Sequence, residues 1–236
     1  MVVKKGLVIA IDGPASSGKG TIGSLVASRL NYKFIDTGAM YRSVALLALD
    51  QGIDLQNSNA VGQLAEASEI KFVYESIRGV PGYRVLIDGM DVSIAIRSPT
   101  IDSAASQIAQ YVAVRHALQA KQRVLAQNGS VVMEGRDITT VVFPNADLKL
   151  YITASIHQRA RRRYEQNAKR NIHVSVKDIE EELAKRDRMD TQRHASPLQL
   201  ARDAIVVDTT HMTVAEAVDK ILSLIRERFP QYVDVS

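Results

Sequence analysis

The chain has 236 residues, 46% of them hydrophobic and 24% charged, which is enough to bury the core of one large α/β domain with small insertions. It contains no cysteine, which excludes disulfides, thiolate metal sites and thiol catalysis and suits a reducing cytoplasm. Its net charge of +4 is weak support for a nucleic-acid partner, and no apolar stretch reaches the ~20 residues that a membrane span needs.

Strand and helix signals alternate along most of the chain. In segment 1–14 two lysines precede an apolar run, but Asp12, Gly13 and Pro14 stop that run, so we expect no signal peptide. Short apolar strands alternating with helices predict a parallel sheet with helices on both faces. In chain order, the patterns predict a strand at 7–12, a helix from 19 to about 30, a strand at 32–36, helices at about 38–52 and 59–68, helices within 101–128, strands at 130–135 and 147–153, helices at 156–170 and 175–192, a strand at 204–209 and a helix at 213–229.

Region 69–93 departs from this alternation. It contains two alternating strands around the turn RGVPGY and a third short strand after the dipeptide DG. Together these predict a small antiparallel sheet. We interpret residues 68–96 as an insertion in a core domain formed by 1–67 and 97–236.

A glycine-rich loop follows the first predicted strand and precedes a helix, which is the context that a phosphate-binding loop requires. Glycines let backbone N–H groups turn towards phosphate oxygens, the helix N-terminus adds partial positive charge, and a lysine can bind the β- and γ-phosphates. The pattern G-x-x-x-x-G-K is complete here. We therefore predict that nine consecutive residues bind ATP: Gly13, Pro14, Ala15, Ser16, Ser17, Gly18, Lys19, Gly20 and Thr21.

The loop departs from the common pattern at one position. Gly20 stands where most P-loop proteins carry the hydroxyl that binds Mg²⁺, and the hydroxyl comes one residue later, at Thr21. We expect Mg²⁺ to be held by phosphate oxygens, water and a more distant acid. The spelling G-K-G-T resembles that of the nucleoside monophosphate kinases, in which the same departure occurs.

Two further polar motifs follow predicted strands, at the edge of the sheet where ligands sit in such folds. DTGAMYR, at 36–42, follows the strand at 32–36, and EGRD, at 134–137, ends the strand at 130–135. Glu134 stands where the Walker-B acid of a P-loop enzyme holds Mg²⁺ through water. Basic residues also concentrate between Arg159 and Arg193, but only 5% of the chain is aromatic, so a small polyanion is a better partner than nucleic acid.

Six motifs in this order resemble those of the bacterial cytidylate kinases over nearly the whole chain: IDGPASSGKGT, DTGAMYR, AASQIAQYVAVR, EGRDITTVVFP, RARRRY and RDRMDTQR. The resemblance implies a three-layer α/β fold of the P-loop NTPase type with a parallel sheet, a small antiparallel β insert and a helical lid at about 157–175. It also implies transfer of the γ-phosphoryl group of ATP to CMP or dCMP, with Mg²⁺ as cofactor, by a cytoplasmic monomer. The family often has aspartate where Glu134 stands, which changes the reach of the acid but not its role.

The resemblance also implies roles for individual residues. A carboxylate accepts from the exocyclic amine of cytosine, which uracil replaces with a carbonyl, so Asp137 is expected to read the base and Asp190 to bind the sugar hydroxyls. The expected CMP-binding set is Thr37, Tyr41, Arg42, Ser106, Arg115, Arg136, Asp137, Arg186, Asp190 and Arg193. Arg42, Arg115 and Arg186 form the expected clamp on the phosphates, because the guanidinium fork matches phosphate oxygens in pairs.

The arginines of the motif RARRRY are expected to lie on the lid over ATP. Helical spacing places Arg159, Arg162 and Arg163 on one face and leaves Arg161 off it. Arg162 is expected to contact ATP. The expected catalytic set is Lys19, Arg136, Arg159, Arg163 and Arg186.

Three alternatives stay open at the level of the sequence. The acceptor could be another nucleoside monophosphate. The chain could instead be an ATP-hydrolysing switch that drives a partner, although this leaves Arg42, Arg115, Arg136 and Arg186 without a shared task. An RNA-binding protein is supported only by the positive charge, and steeply salt-dependent binding of long RNA would favour it.

Overall fold

The computed structural model describes residues 6–77 and 80–232. The chain divides into two compact units, one formed by Met1–Phe34 and Gly129–Ser236 and the other by Ile35–Asn128. The strands are β1 (Val8–Asp12), β2 (Lys33–Asp36), β3 (Ile70–Ile77), β4 (Val80–Ile87), β5 (Met90–Asp91), β6 (Val131–Gly135), β7 (Leu148–Thr153) and β8 (Ile205–Asp208). The helices are α1 (Lys19–Arg29), α2 (Thr37–Asp50), α3 (Ser58–Ala67), α4 (Pro99–Ile108), α5 (Val112–Leu125), α6 (Ile156–Ala168), α7 (Val176–Gln192) and α8 (Val214–Arg228).

A five-stranded sheet in the order β2-β6-β1-β7-β8 forms the centre of the α/β architecture. β1 pairs in parallel with β6 and β7, and β7 pairs in parallel with β8. The central strand is buried on both faces, with Ile9, Ala10 and Ile11 at 0% exposure, which explains its continuous apolar sequence. The parallel sheet with helices confirms the predicted fold class, and it brings the residues after β1 and β6 to one edge.

The first unit also contains helices α1, α6, α7 and α8. The apolar stripe of α1 buries Ile22 and Val26, and α8 buries Ile221 and Ile225. α8 begins with a capping box in which the hydroxyl of Thr213 accepts from the backbone of residue 216. These helices follow the predicted boundaries to within a few residues. No helix in the described ranges is long and apolar enough to cross a membrane.

The second unit contains helices α2 to α5 and a three-stranded antiparallel sheet in the order β3-β4-β5. This sheet confirms the antiparallel prediction for 69–93. The predicted turn extends over Arg78 and Gly79, which lie outside the described residues, as do residues 1–5 of the segment considered for a signal peptide. The boundaries 1–67, 68–96, 97–236 and 157–175 stay predictions, and the second unit is larger than the predicted insertion.

A short π-helical segment at Ile138–Val142 follows β6 and was not predicted from the sequence. It begins directly after Asp137, and its backbone turns back against the central strand β1. Ile138 and Val142 are buried, with exposures of 0% and 2%. The segment therefore fixes where the EGRD motif leaves the sheet.

Candidate functional site

The glycine-rich loop connects the central strand to α1, as predicted. Gly13 has a φ of 149°, and a Cβ there would lie 2.0 Å from the carbonyl oxygen of Ile152, so only glycine fits beside β7. α1 begins after Gly18, which has a φ of 95°, and no described side chain caps it. An uncapped helix N-terminus behind such a loop can bind an anion.

Donors from outside the loop bind its carbonyl oxygens. Arg159 donates to the carbonyl of Ala15 at 3.2 Å, and Arg162 donates to that of Ser17 at 3.2 Å. Thr209, after β8, also donates to Ser17, and Arg162 in turn donates to both oxygens of Thr209. A loop whose carbonyls are bound from outside can turn its N–H groups towards phosphate. The ATP roles predicted for Arg159 and Arg162 stay predictions.

The arginines of the motif RARRRY differ from one another in environment. Arg159 is 6% exposed and forms an ion pair with Asp187 of α7 at 2.7 Å, which ties α6 to α7. Arg163 is half-buried and contacts Gln166 at 3.3 Å, one turn further along α6. Arg161 is exposed. The face predicted for this helix therefore agrees with the observed burial.

Lys19 is the first residue of α1 and is 4% exposed. Its ammonium donates to the carbonyl of Pro14 at 2.8 Å and lies 3.8 Å from the carboxylate of Glu134. Burial, with the nearby charge of Arg136, lowers the pKa of Lys19 to about 7, although Glu134 acts in the opposite direction. A lysine in this state gains much of its charge when an anion binds beside it.

Glu134 is the residue whose chemistry fits Mg²⁺. Its side chain is 13% exposed, and a Cβ on Gly20 would lie 3.5 Å from its Oε1, so the acid reaches the place of the missing P-loop hydroxyl. Thr21 is exposed. Within the described ranges no three His, Asp or Glu side chains cluster as a metal site. A single carboxylate beside the phosphate-binding loop has the chemistry to hold an ion whose other ligands would be phosphate oxygens and water.

Arg136 and Asp190 form an ion pair between the EGRD motif and α7. Arg136 Nε donates to Asp190 at 2.8 Å, and Arg193 lies 3.4 Å from the other carboxylate oxygen. Burial raises the pKa of Asp190, but Arg136, Arg186 and Arg193 outweigh burial and hold that pKa below its ordinary value. The structure thus brings together four predicted site residues, namely Asp190 and the three arginines that hold its carboxylate ionised.

Asp137 follows Arg136 and is 4% exposed. It stands at the start of the π-helical segment, where Ile138 and Thr139 bond to the carboxylate of Asp12. Asp137 lies two residues beyond the end of β6, on the side of the sheet where ligands sit in folds of this kind.

In the second unit, Asp36 orients Arg42 at the start of α2. The carboxylate of Asp36 caps the helix by accepting from Ala39 at 3.0 Å and accepts from Arg42 at 2.7 Å. Asp102 lies 3.9 Å from the same guanidinium. Burial raises the pKa of Asp36, but the charge of Arg42 and the bond from Ala39 outweigh it and lower that pKa.

The other predicted residues of the second unit are mostly buried. Arg115 is 1% exposed, donates to the carbonyl of Ala109 and packs 5.5 Å from the ring centre of Tyr41. Ser106 donates to the carbonyl one turn earlier in α4. Thr37 is 3% exposed at the first position of α2. The contacts of Arg115 and Tyr41 join two residues that the sequence placed in different motifs.

Four residues with prominent contacts were not predicted as site residues: Asp12, Asp36, Asp187 and Thr209. The sequence did contain a signal for Asp12 and Asp36, because each is an acid that follows apolar residues at the end of a strand. Thr209 also follows a strand. Asp187 lies within the motif RDRMDTQR, but nothing in the local pattern distinguishes it from the other charged residues of α7.

Comparison with known proteins finds similarity to the cytidylate kinases. The family model described as cytidylate kinase matches residues 9–227. The chain is 41% identical over 226 residues to the cytidylate kinase of Bacillus licheniformis, covering 96% of this chain and 99% of the relative. The same identity and coverage hold for the cytidylate kinase of Bacillus subtilis.

One solved structure supports the fold alone. It is an uncharacterized protein from Eubacterium ventriosum, 14% identical to this chain, with a TM-score of 0.51. The similarity covers 94% of this chain and 99% of that protein. At this identity the likeness extends to the arrangement of strands and helices and carries nothing about the site.

Proposed function

The chain belongs to the cytidylate kinase family, and we propose from this that it transfers the γ-phosphoryl group of ATP to CMP or dCMP, giving ADP and CDP or dCDP. One observation supports this beyond the family. In the first unit the glycine-rich loop, Lys19, Glu134 and Arg136 lie at the carboxyl ends of β1 and β6 or just beyond them, and Asp190 of α7 pairs with Arg136. This arrangement supports binding of the donor phosphates and of a polar acceptor at one edge of the sheet.

Phosphoryl transfer asks mainly for positioning and for neutralisation of spreading negative charge. The loop N–H groups and the N-terminus of α1 would hold the donor phosphates, and Lys19 would neutralise the β- and γ-oxygens. Glu134 would hold Mg²⁺ through water, and the ion would supply further neutralisation of the phosphate charge. The acceptor phosphate is already an anion, so the proposal needs no strong general base.

The acceptor roles rest on the family and on the orientation of individual side chains. Asp137 would accept from the exocyclic amine of cytosine, and Asp190, held ionised by its arginines, would accept from the sugar hydroxyls. Arg186, with Arg42 and Arg115 of the second unit, would bind phosphate oxygens. Thr37, Tyr41, Ser106 and Arg193 stay in the proposal as CMP contacts, and Arg159, Arg162 and Arg163 as ATP contacts. Action as a cytoplasmic monomer without a nucleic-acid or membrane partner stays a prediction.

The direct test is ADP production from Mg·ATP with CMP, dCMP, UMP, AMP, GMP or no acceptor. We expect turnover with CMP and dCMP well above that with the other acceptors. Asp137→Asn should reduce kcat/KM for CMP on the order of 10²-fold, because asparagine has no negative charge and replaces one acceptor oxygen with an NH₂ group that cannot accept from the exocyclic amine. Asp219→Asn, an exposed change on α8, is the matched control and should leave the activity unchanged.

Two outcomes contradict the proposal. Equal turnover with every acceptor means that the base is not read at Asp137, and another nucleoside monophosphate or a broad acceptor then replaces CMP. ADP production that needs no acceptor favours the nucleotide-driven switch.

A further inference from the structure

Asp12 is a fully buried acid in a position that the proposed chemistry does not use. It is the last residue of β1, it is 0% exposed, and it directly precedes the glycine-rich loop. Its carboxylate accepts three hydrogen bonds, from the N–H of Ile138 at 2.9 Å and from the N–H and the hydroxyl of Thr139 at 2.7 and 2.6 Å. All three donors belong to the segment that follows EGRD.

Asp12 therefore contacts the residues on both sides of the dipeptide Arg136–Asp137. Before the dipeptide, the backbone of Asp12 is the register partner of Gly135 in the parallel pairing of β1 with β6. After the dipeptide, the carboxylate of Asp12 accepts from Ile138 and Thr139. The backbone of Arg136 and Asp137 thus spans a short gap whose two anchors are the main chain and the side chain of one residue.

A carboxylate in such a place is costly unless its charge is compensated. Burial raises the pKa of Asp12, while the bonds from Thr139 and Ile138 lower it. An apolar side chain would avoid the desolvation cost, but it would leave the buried N–H groups of Ile138 and Thr139 without an acceptor. The acid therefore supplies the acceptor that holds these two N–H groups in place, and with them the path of the following backbone.

We infer that Asp12 is a positioning residue for acceptor recognition: its carboxylate fixes the backbone that presents Arg136 and Asp137. The inference rests on the proposed function, because it states that Asp12 contributes to discrimination between cytosine and other bases. It acts through the EGRD segment and touches no substrate. A misplacement of about 1 Å in a positioning element can cost on the order of 10²-fold in rate.

Variants of Thr139 give the clearest test. Asp12 directly precedes the glycine-rich loop, so a change there can also affect ATP binding, whereas Thr139 lies in the segment after EGRD. Thr139→Val removes only the hydroxyl and keeps the shape, while Thr139→Ser keeps the hydroxyl. Asp12→Asn replaces one acceptor oxygen by an NH₂ group that faces N–H donors. Asp147→Asn is the matched control, since Asp147 also accepts from a backbone N–H of β1, at Val8, but at the opposite end of the strand.

The measured quantities are kcat/KM for CMP and for UMP, KM for ATP, and the thermal midpoint of each variant. We expect Asp12→Asn to lower the CMP-to-UMP ratio of kcat/KM by about 10- to 100-fold. Thr139→Val should lower it several-fold with a smaller change in KM for ATP, and Thr139→Ser should restore it. Asp147→Asn should leave the ratio unchanged.

An unchanged ratio in Thr139→Val, with only a lower thermal midpoint or an equal loss for all acceptors, overturns the inference and leaves the carboxylate a structural group. This holds even if Asp12→Asn does not fold. If the wild-type protein shows no preference for CMP over UMP, the proposed function fails first and the inference fails with it. The wild-type measurement therefore separates the two failures.

Discussion

The ammonium of Lys19 and the carboxylate of Glu134 face each other at 3.8 Å, a distance too long for a direct hydrogen bond. The two side chains come from α1 and β6, which the pairing of β1 with β6 brings side by side. The cation that would bind donor phosphates and the acid that would hold Mg²⁺ are thus neighbours whose charges influence each other.

Binding of ATP to this protein should take up a proton at pH 8. Lys19 has its pKa lowered to about 7, mainly by burial, so in the free protein it is largely neutral at pH 8 and charged at pH 6. The phosphates favour the ammonium and raise its pKa on binding, so uptake should approach one proton at pH 8 and vanish near pH 6.

Isothermal titration in buffers of different ionisation enthalpy measures this uptake. Lys19→Arg is the matched variant, because arginine is always charged and should bind ATP without proton uptake. The same uptake in Lys19→Arg as in the wild type would show that another group titrates.

Glu134→Gln should raise the Mg²⁺ concentration needed for half-maximal activity by about 10- to 100-fold, as is usual for groups that orient a metal through outer ligands. Glu134→Asp keeps the charge but shortens the reach towards Gly20 and should give an intermediate value. Activity is titrated against free Mg²⁺ at fixed ATP. Glu165→Gln, an exposed change on α6, serves as control. An unaltered Mg²⁺ requirement in Glu134→Gln would limit Glu134 to its contact with Lys19.

Asp36→Asn should lower kcat/KM for CMP by about 10-fold with little effect on KM for ATP. The change weakens the 2.7 Å ion pair that orients Arg42 but preserves the cap of α2, because asparagine caps helices as well as aspartate does. Asp102→Asn, which alters the longer contact of 3.9 Å to the same guanidinium, should have a smaller effect. Equal losses in the two variants would contradict a specific role for Asp36. The thermal midpoint of each variant shows whether a loss of activity comes from unfolding.

Gly62→Ala should destabilise the second unit by about 1–3 kcal/mol, because its Cβ would lie 2.7 Å from the Cβ of Ala113 where α3 packs on α5. Ala113→Gly alone should cost about 1 kcal/mol through lower helix propensity. In the double variant the two effects should largely cancel, since one methyl group is moved across the same contact. Urea denaturation measures all three midpoints, and a double variant as unstable as the sum of the singles would place the strain elsewhere.

The local sequence determined the strands, the helices and the positions of the polar motifs between them. The apolar run of β1, the glycines after it and the helical periodicity of α1 each predict their own structure, because burial on both faces of a strand and one stripe of a helix leaves a pattern in consecutive residues. The polar motifs after β2 and β6 were predicted in the same way, since strands of a parallel sheet end at a common edge.

Only the tertiary structure decided which of these residues meet. The bonds from Thr139 to Asp12 join positions 127 apart, and the bond from Arg162 to Thr209 joins positions 47 apart. Periodicity reports which face of an element is buried, but not which distant side chain neutralises a buried charge, because that partner is set by the order of strands in the sheet. The sequence shows an acid at the end of an apolar strand, at Asp12. The role of that acid depends on the segment that the sheet places beside it.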